Sequence, residues 1–501
     1  MRKNLTEADI DRIYDGIKRL VLNKYSSGSY TDSINHIIDC AVWMYHFNTR
    51  YADIELDNTI KNISEKALNQ HNISQPDNNR IVLIDNFGLD NRGLTQQYIR
   101  SLVKLDKDIL YILHNEQPNG NSEIIRELKE YDKATIHILT TNPNNIIDSA
   151  SRIAQKITEF SPNDILLHIA PWDVTSLLAI SSIKGATKYN INLTDHAFWL
   201  GASFFDYNIE FRGYGRVLSL EKRGFKEEQL ISLPFYPIVS KYTHFQGFPK
   251  LPENSIKIFC GGAEYKMLGK NDIFFKMMDD ILEISEDVQI LVAGISCGTT
   301  FENKVKNLKH KDRIHLIGDR KDINDVFANS DIFLSSYPFV GGLMTQFAAT
   351  NKVPVLAYAE PEEVGTVDAF VNHFGEALST KRSMHEFLDY ARDLICNAEF
   401  RKSEGEKCFN VSMNKSCFYK YLNKALTSQD TEIQFPEEIP DYQSMISYYL
   451  DVENLTHQMF EELVYRLKLK TFLLAPKHAP FIIKIMTKRV LHKVFKVKMS
   501  K

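Results

Sequence analysis

A glycine pair in the stretch SYPFVGGLMTQFAATNKVPVLAY follows an apolar run that predicts a strand, and a helix is predicted to begin near Leu343. Glycine lets the backbone approach a ligand closely, so Gly341 and Gly342 are candidates for an anion-binding turn. The first N–H groups of the helix, on Leu343, Met344 and Thr345, would face that anion, and the Thr345 hydroxyl adds a donor. An ordinary strand-to-helix turn is the alternative explanation.

A second glycine pair stands in IFCGGAEYKMLGK, where Gly261 and Gly262 follow another predicted strand and Lys266 comes shortly after. A lysine ammonium there would neutralise a diphosphate as a point charge, and such charge-assisted hydrogen bonds contribute roughly 1.5–3 kcal/mol. A solvated loop lysine is the alternative. Because both glycine pairs follow strands of one predicted domain, they fall at the same sheet edge, where together they would bind one nucleotide diphosphate.

The third candidate is TDHAFWLGASFFDYNIEFRGYG, a segment dense in aromatic and polar residues at 194–215. His196 follows an extended segment and could act as a general base in a cleft, and Asp195 is the other candidate for assisting the acceptor. The alternative is that Trp199 and the neighbouring phenylalanines form core, and that His196 is a hydrogen-bonded structural residue.

Apolar runs of strand length alternate with amphipathic helical patterns through most of the chain. One series has such runs at 81–84, 109–113, 135–139, 164–170 and 189–196, and a second has them at 256–260, 288–294, 313–318, 331–336 and 354–358. This alternation indicates βαβ units and parallel sheets buried on both faces. We therefore predict an α/β fold with two doubly wound domains, whose ligands bind in a cleft beyond the carboxyl ends of the strands.

Both ends of the chain leave this pattern, which divides the sequence into four predicted regions. These are a helical N-terminal region at 1–75, a Rossmann-like domain at 76–240, a second one at 241–425 and a helical C-terminal region at 426–501. The proline-rich segment 234–255 is typical of an interdomain linker. Thr6 is the predicted N-cap of the first helix, and ISYYLDVENLTHQMFEELVYRLKLK predicts one long helix.

The composition of the 501 residues excludes several classes of protein. The 60 Lys and Arg against 64 Asp and Glu give a formal charge of −4, so we expect no nucleic-acid partner. Six cysteines without a CxxC pair argue against a disulfide scaffold or a zinc ribbon. The charged start MRKNLTEADIDRIYDGIKRL is unlike a signal peptide, and no apolar run of about 18 residues predicts a transmembrane helix. We expect a cytoplasmic protein.

The segments GGAEYK, SYPFVGGLMT…VPVL and WLGASFFDY together resemble the GT-B glycosyltransferases over residues 80–425, and within them family 41. That family holds the O-GlcNAc transferase catalytic region and the bacterial cytoplasmic N-glycosyltransferases. Tyr265-Lys266 resembles its tyrosine-lysine pair, whose lysine holds the donor diphosphate. Pro338, the glycine pair and Thr345 resemble its proline, small-residue turn and threonine. The segment Trp199–Gly201 with Asp206-Tyr207 resembles its WLG…DY segment.

The resemblance implies a nucleotide-sugar site in the second domain and an acceptor side in the first. The implied nucleotide-sugar ligands are Gly261, Gly262, Tyr265, Lys266, Tyr337, Gly341, Gly342, Leu343, Met344, Thr345 and Gln346. The implied acceptor side comprises Gly93, at the end of the loop after the first strand, with Trp199, Asp206 and Tyr207. The catalytic candidates are His196, Asp195 and Lys266.

One departure and one absence qualify what the resemblance implies. The stretch QFAAT lacks the acidic residue that the family places on the ribose, and Gln346 is the candidate substitute. No tetratricopeptide periodicity precedes the two domains. GT-B enzymes generally replace a metal with a helix dipole and basic side chains, so we expect no metal and no cofactor, with a nucleotide-sugar, UDP-sugar favoured, as co-substrate.

The leading hypothesis is transfer of a sugar from a nucleotide-sugar donor to an acceptor hydroxyl, in bacterial polysaccharide or glycoconjugate assembly. The acceptor would be a glycan, a lipid-linked glycan or a protein. The alternative is a catalytically silent GT-B module that binds a nucleotide or a partner glycosyltransferase. A Rossmann oxidoreductase is disfavoured because no GxGxxG follows either first strand.

The tail at 471–501 has eight Lys and Arg and no Asp or Glu. On a helix, one stripe would contain Ile482, Met486, Val490, Val494 and Val497, with Lys484, Lys488 and Arg489 beside it. Such a helix could lie on an anionic membrane surface, where each basic residue contributes about 1 kcal/mol, and would place the protein on the inner face of the cell membrane. The alternative is a helix packed on the first domain.

Overall fold

The computed structural model describes residues 4–88, 94–115, 122–140, 145–363, 366–436 and 438–499, with Leu94, Asn115 and 490–499 described by their backbone alone. Gly93 lies outside these ranges.

Three helices open the described chain and share a core with the first sheet. They are α1 (Glu7–Ser26), α2 (Tyr30–Phe47) and α3 (Ile54–Ala67). Thr6 caps α1 as predicted: its hydroxyl accepts from the Asp9 N–H, and the Asp9 carboxylate accepts in turn from the Thr6 N–H. Buried residues of all three helices join Val82 and Ile84 of the sheet in one apolar cluster. The N-terminal helices are therefore part of the first domain's packing.

The first domain contains a seven-stranded parallel sheet. The strands in chain order are β1 (His71–Asn72), β2 (Asp77–Asp85), β3 (Asp108–Asn115), β4 (Ala134–Thr140), β5 (Pro162–His168), β6 (Ile183–Lys184), β7 (Thr187–Ile191), β8 (Tyr207–Glu210) and β9 (Leu230–Ser232). The large sheet has the order β4-β3-β2-β5-β7-β8-β9, and β1 pairs with β6 separately. The helices between them are α4 (Leu94–Lys104), α5 (Glu123–Lys129), α6 (Ile146–Phe160), α7 (Val174–Ser181) and α8 (Gly213–Lys222).

The second domain contains a five-stranded parallel sheet. Its strands are β10 (Ile256–Gly261), β11 (Val288–Ala293), β12 (Ile314–Leu316), β13 (Ile332–Leu334) and β14 (Val355–Leu356), in the order β12-β11-β10-β13-β14. Its helices are α9 (Ile273–Leu282), α10 (Thr300–Val305), α11 (Ile323–Ala328), α12 (Gly342–Thr350), α13 (Met384–Cys396) and α14 (Ala398–Val411). Both predicted doubly wound domains are thus confirmed.

Strand order reverses once in each sheet, which fixes where a ligand is expected. In the first sheet the reversal lies between β2 and β5, and in the second between β10 and β13. The crevice outside the carboxyl ends at such a switch point is the usual ligand site of an open α/β sheet. In the second domain, the segments that leave this crevice carry the two glycine pairs.

After α14 the chain returns to the first domain. The remaining helices are α15 (Lys415–Thr427), α16 (Tyr442–Thr456), α17 (Gln458–Leu467), α18 (Lys470–Leu474) and α19 (Ala479–Met499). Phe418 of α15 contacts Tyr98 of α4 and Tyr236 edge-on, with ring centroids 5.3 and 5.4 Å apart. The return therefore comes before residue 425, where the sequence placed the end of the second domain.

The long helix expected near residue 457 is two helices. His457 has a φ of 60°, which ends α16 and begins α17. The buried Glu453 carboxylate accepts from the N–H groups of Met459 and Phe460 at 2.9 and 3.2 Å. This side chain satisfies donors that the break in the helix would leave unpaired.

The basic tail contains the end of α18 and the whole of α19, and the first half of α19 packs on the protein. Ile482 and Ile485 are buried in the apolar cluster of the N-terminal helices, with Met486 packed against it. Lys484 and Lys488 are exposed. The side chains of Val490, Val494 and Val497 lie outside the described part. Within the described part, no helix combines the length and apolarity that crossing a bilayer requires.

Candidate functional site

The switch point of the second sheet is built on close backbone packing. β10 ends at Gly261, the first residue of the Gly261-Gly262 pair, and the Gly262 N–H donates to the Ala293 carbonyl at 3.2 Å. Gly294 has a φ of 84°, and a Cβ there would lie 2.4 Å from the Gly262 carbonyl oxygen. Only glycine fits this approach. Gly294 is a site residue that the sequence analysis missed, although VAG at the end of a predicted strand could have indicated it.

Lys266 links the two glycine pairs. It lies on a short 3₁₀ turn, Glu264–Met267, and its Nζ is 3.4 Å from the Val340 carbonyl oxygen, one residue before Gly341. The Phe339 N–H donates to the Lys266 carbonyl at 3.2 Å. The prediction that both pairs fall at one sheet edge is therefore confirmed.

The Lys266 ammonium is half-buried and lacks a counter-ion among the residues that the structure describes. Burial lowers the pKa of this ammonium. The neighbouring Lys270, by contrast, is within 2.7 Å of Glu360 and 3.3 Å of Glu363. Of these two lysines, Lys266 is the one whose charge is left for a bound anion.

Helix α12 begins at Gly342, one residue earlier than predicted, and this changes which donors are available. Thr345 is buried, and both its N–H and its hydroxyl donate to the Gly341 carbonyl, at 2.9 and 3.1 Å. Its expected role as a ligand donor is therefore not supported. At the start of α12, the N–H groups of Gly342, Leu343 and Met344 have no acceptor among the described residues.

Gln346 faces the linker between the domains instead of the cleft. Its Nε2 donates to the Phe235 carbonyl at 2.8 Å, and its side chain is buried. A side chain held in this way is not positioned to substitute for an acidic ribose ligand. Tyr337 is buried as well, and its hydroxyl donates to Glu363 at 3.3 Å, whereas Tyr265 is 60% exposed.

In the first domain, Asp195 follows the carboxyl end of β7 and is fully committed to an ion pair. Arg212 donates to its two oxygens from Nε at 2.6 Å and from Nη2 at 3.1 Å, and both residues are buried. Burial would raise the pKa of Asp195, but Arg212 and His196 lower it by more, so the pKa lies well below its usual range. Such a carboxylate does not take up a proton, and the expectation that Asp195 acts as a base itself is not supported.

His196 is the group at this edge that can exchange a proton with a ligand. Its Nδ1 lies 3.4 Å from Asp195 Oδ1, and its side chain is 39% exposed. The carboxylate orients the ring and would stabilise the imidazolium, which leaves Nε2 for a bound hydroxyl. His196 and Asp195 are therefore brought together, with the carboxylate as a positioning residue.

A buried carboxyl group lies close to this pair. Glu210 ends β8 and accepts from Asn192 at 3.0 Å, Asn208 at 2.6 Å and Ser219 at 2.5 Å. Burial and the nearby charge of Asp195 raise the pKa of Glu210 to about 7, against the opposing effect of Arg223.

The acceptor-side residues implied by the resemblance are not brought together. Trp199 is buried against Phe205 and Phe225, with the Arg223 guanidinium 5.1 Å from its ring. Asp206 and Tyr207 lie before and at the start of β8, so they do not follow the strand's carboxyl end. Asp206 accepts from the Lys188 N–H, and the Tyr207 ring stacks on Tyr189. Gly93 lies outside the described residues.

The sequence analysis also missed a buried polar cluster at the switch point of the first sheet. His168, at the end of β5, has its Nδ1 3.0 Å from Asp85 and 2.6 Å from the Thr95 hydroxyl. Its Nε2 is buried without a partner in the described structure. Burial raises the pKa of Asp85, but hydrogen bonds from His168 and Tyr111 lower it by more, so the pKa lies below its usual value. These residues are far apart in sequence, so no local motif indicates them.

Aromatic contacts join the two sheet edges. The Arg212 guanidinium lies 4.9 Å from the ring centroid of Phe370, which belongs to the second domain. The Phe370 ring also stacks on Phe211 at 6.0 Å. A Cβ on Gly342 would lie 2.4 Å from the same ring. The start of α12 and the Asp195–Arg212 pair therefore share one neighbour, Phe370.

The residues that the structure describes include no group of three His, Cys, Asp or Glu side chains arranged to hold a metal ion.

Solved structures with the same architecture include a mutant O-GlcNAc transferase from Thermobaculum terrenum. It has 13% identity and a TM-score of 0.50, over 88% of this chain and 83% of that chain. A glycosyltransferase from Rickettsia africae ESF-5 has 16% identity and a TM-score of 0.49, over 70% and 98%. A mutant of S. aureus TarM, in complex with fondaparinux, alpha-GlcNAc-glycerol and UDP, has 11% identity and a TM-score of 0.49, over 70% of this chain and 99% of that chain. No family model and no curated protein matches the chain. The fold is that of the GT-B glycosyltransferases.

Proposed function

We propose that this protein is a glycosyltransferase that moves a sugar from a nucleotide-sugar to an acceptor hydroxyl. The observation that carries the proposal is the convergence of Lys266 with the free N–H groups at the start of α12. An ammonium without a counter-ion and unpaired backbone donors of one helix suit the two phosphates of a nucleoside diphosphate. The O-GlcNAc transferase fold of similar architecture supports this assignment.

In the proposed reaction, the bond between the anomeric carbon and the diphosphate oxygen breaks and its electron pair leaves with the diphosphate. A bond forms between the anomeric carbon and the acceptor oxygen, whose proton passes to His196 Nε2. Lys266 and the N–H groups of Gly342, Leu343 and Met344 stabilise the negative charge that develops on the leaving group. Asp195 stabilises the imidazolium and is itself held ionised by Arg212.

The donor we propose is a UDP-sugar, bound without a metal or other cofactor, because the site supplies its own positive charge. Acceptors of the proposed class are glycans, lipid-linked glycans or proteins, in polysaccharide or glycoconjugate assembly. Titration calorimetry with UDP, GDP and CMP, combined with a donor-hydrolysis and transfer assay, tests the donor. Tight binding of UDP with turnover of a UDP-sugar is the expected result, and no binding of any nucleotide would overturn the proposal.

His196→Asn tests the acceptor half of the same proposal. Removal of a general base lowers turnover by about 10² or more, while the UDP dissociation constant stays unchanged. His385→Asn is a matched control, because His385 is an exposed histidine on α13 that pairs only with Asp389 among the described residues. Equal turnover of the His196 variant and the control would remove His196 from the mechanism.

A catalytically silent module that binds a nucleotide or a partner glycosyltransferase is the second candidate. The observation in its favour is that Thr345 and Gln346 are committed to the Gly341 and Phe235 carbonyls, so the ribose and phosphate lose two expected ligands. UDP binding without turnover on any donor or acceptor would favour this reading.

We also propose that the protein is cytoplasmic and contacts the inner face of the membrane through its C-terminal helices. Because Ile482 packs inward, the apolar contribution would come from Leu469, Leu473 and Ile483, which are 69%, 84% and 56% exposed. The exposed Lys484 and Lys488 supply the charge. Co-sedimentation with anionic vesicles tests this. Replacing Lys484, Lys488 and Arg489 with Gln should abolish pelleting with the vesicles, and unchanged pelleting would contradict it.

A further inference from the structure

Six aromatic side chains from five separate segments form two groups of packed rings, here called together the aromatic patch. They are Tyr45 on α2, Trp172 after β5, Tyr265 after β10, Phe339 after β13, and Tyr448 and Tyr449 on α16. Ring centroids are 5.4 Å apart for Tyr45 and Trp172, 6.0 Å for Tyr265 and Phe339, 4.4 Å for Phe339 and Tyr448, and 5.7 Å for Tyr448 and Tyr449. Helix α16, which carries Tyr448 and Tyr449, packs against α2, which carries Tyr45, and this packing joins the two groups.

The patch begins where the proposed diphosphate site ends. Tyr265 directly precedes Lys266, and the Phe339 N–H donates to the Lys266 carbonyl at 3.2 Å. Tyr265 is 60% exposed, and Tyr45, Trp172, Phe339, Tyr448 and Tyr449 are half-buried. A ligand on these rings would therefore lie beside a sugar whose diphosphate is held by Lys266.

The phenols of the patch have hydrogen-bonding capacity that the protein leaves unused. Within the described chain, the hydroxyls of Tyr45, Tyr265, Tyr448 and Tyr449 have no hydrogen-bond partner. Burial raises the pKa of all four, to about 12 for Tyr448, so each stays protonated as a donor. Tyrosine hydroxyls in partly buried positions usually find a partner, so this cluster is suited to a polar ligand.

The patch is also uncharged. All six of its side chains are neutral at pH 7. The ammonium of Lys266, the residue after Tyr265, lies at the edge of the patch and is assigned to the diphosphate. This argues for a neutral ligand over a phosphorylated or strongly charged one.

We propose that the aromatic patch binds the sugar rings of a neutral oligosaccharide acceptor. A pyranose presents an apolar C–H face that packs on an aromatic ring and a rim of hydroxyls that pair with phenols. As an acceptor site the inference rests on the proposed function, but oligosaccharide binding can be measured without a donor. A peptide acceptor has no row of pyranose faces, so it would not need several aromatic rings in succession.

The fluorescence of Trp172 can be used to measure ligand binding at the patch. Trp43 and Trp199 are 2% and 4% exposed, so a ligand on the patch changes chiefly the fluorescence of Trp172. The full chain is titrated with maltotetraose and with chitotetraose, without nucleotide. We expect saturable quenching by at least one tetrasaccharide. Tyr448→Ala should weaken that binding about tenfold through loss of one stacking ring. Tyr242→Ala, an exposed tyrosine in the linker that lies under Arg126, should leave it unchanged.

Each outcome separates the patch from the transferase proposal. Absence of quenching by both tetrasaccharides, or equal affinity of Tyr448→Ala and wild type, overturns the patch proposal. The same variants are titrated with UDP by calorimetry. UDP binding without tetrasaccharide binding would leave the proposed function standing and overturn the patch proposal. Tetrasaccharide binding without UDP binding would support the patch and overturn the proposed function. Quenching by UDP that competes with the tetrasaccharide would assign the rings to the donor and overturn the proposal.

Discussion

The ligand edges of the two domains use polar groups in opposite ways. At the second sheet, Lys266 has no counter-ion and the first three N–H groups of α12 have no acceptor among the described residues. At the first sheet, Asp195 and Asp85 are buried and bonded to Arg212 and His168 respectively. Unpaired donors suit a ligand that brings its own negative charge. Paired carboxylates suit the task of holding an imidazole in one orientation. The comparison shows that the carboxylates at the edge of the first sheet are neutralised by the protein itself, whereas Lys266 at the edge of the second sheet awaits a ligand's negative charge.

Breaking the balanced edge should have the largest effect. Arg212→Met leaves the buried Asp195 carboxylate without its partner, and loss of one partner of a buried ion pair costs about 3–5 kcal/mol of the free energy of unfolding. Urea unfolding followed by circular dichroism measures this. Lys133→Met is the control, because its pair with Asp106 is exposed and should not shift the midpoint. Equal midpoints for the two variants would contradict the buried role of Arg212.

The pH dependence of stability should report the same edge. The pKa of Glu210 is about 7 in the folded protein and near 4.5 in the unfolded chain, so the folded state binds more protons between these values. The free energy of unfolding should therefore fall as pH rises from 4.5 through 7, by at most about 3 kcal/mol from this group. Unfolding at pH 5 and pH 8 measures the slope. Glu210→Gln should flatten it, and an unchanged slope would refute the assignment.

The unpaired edge is tested by Lys266→Ala. Turnover should fall on the order of 10²-fold, because a donor to the leaving group is lost in the transition state. Lys270→Ala is a matched control from the same segment, since its ammonium is already paired with Glu360 and Glu363. Steady-state kinetics with a UDP-sugar compare the two. Similar turnover would show that the counter-ion-free lysine has no special role.

The adjacent glycines at the start of α12 allow a finer test. A Cβ on Gly342 would meet the Phe370 ring at 2.4 Å, so Gly342→Ala should displace the helix start and weaken UDP binding about tenfold. A Cβ on Gly341 would have its nearest contact at 3.5 Å, so Gly341→Ala should change affinity much less. Calorimetry decides between them, and equal losses would argue against the role of Phe370.

The smallest effect is expected from Asp206→Asn. Asp206 precedes β8 and accepts from the Lys188 N–H, so the change leaves both ligand edges intact. Turnover should stay at the wild-type level in the same kinetic assay. A marked loss of activity would mean that the acceptor reaches the amino-terminal side of this strand.

Local pattern and one topological rule were enough to predict which segments meet at the edge of the second sheet. A strand, a glycine pair and a helix are consecutive in sequence, and parallel strands bring their carboxyl ends together, so Lys266 and Gly341 could be placed side by side. The directions of individual side chains could not be predicted. Thr345 and Gln346 lie one helical turn into α12, where a shift of one residue in the helix start decides which way each points.

Sequence patterns did not predict the contacts between segments that are far apart in the chain. The aromatic patch draws on Tyr45 and Tyr448, about 400 positions apart, and no periodicity relates them. The break at His457 was missed because it depends on Glu453 accepting from two N–H groups of the next helix. The return of α15 to the first domain was missed because it depends on contacts of Phe418 with Tyr98 and Tyr236, which are far away in sequence.

The return of α15 makes the second domain a topological insert. Lys241 is still bonded to Glu123 of the first domain, whereas Gln246 is bonded to Asp322 of the second, and Phe418 is back on the first. Everything between these crossings is one uninterrupted length of chain, while the first domain is assembled from the segments on either side of it. A module connected in this way can be exchanged through two junctions, one at each crossing. Under the proposed function, donor preference would thus change without rebuilding the first domain.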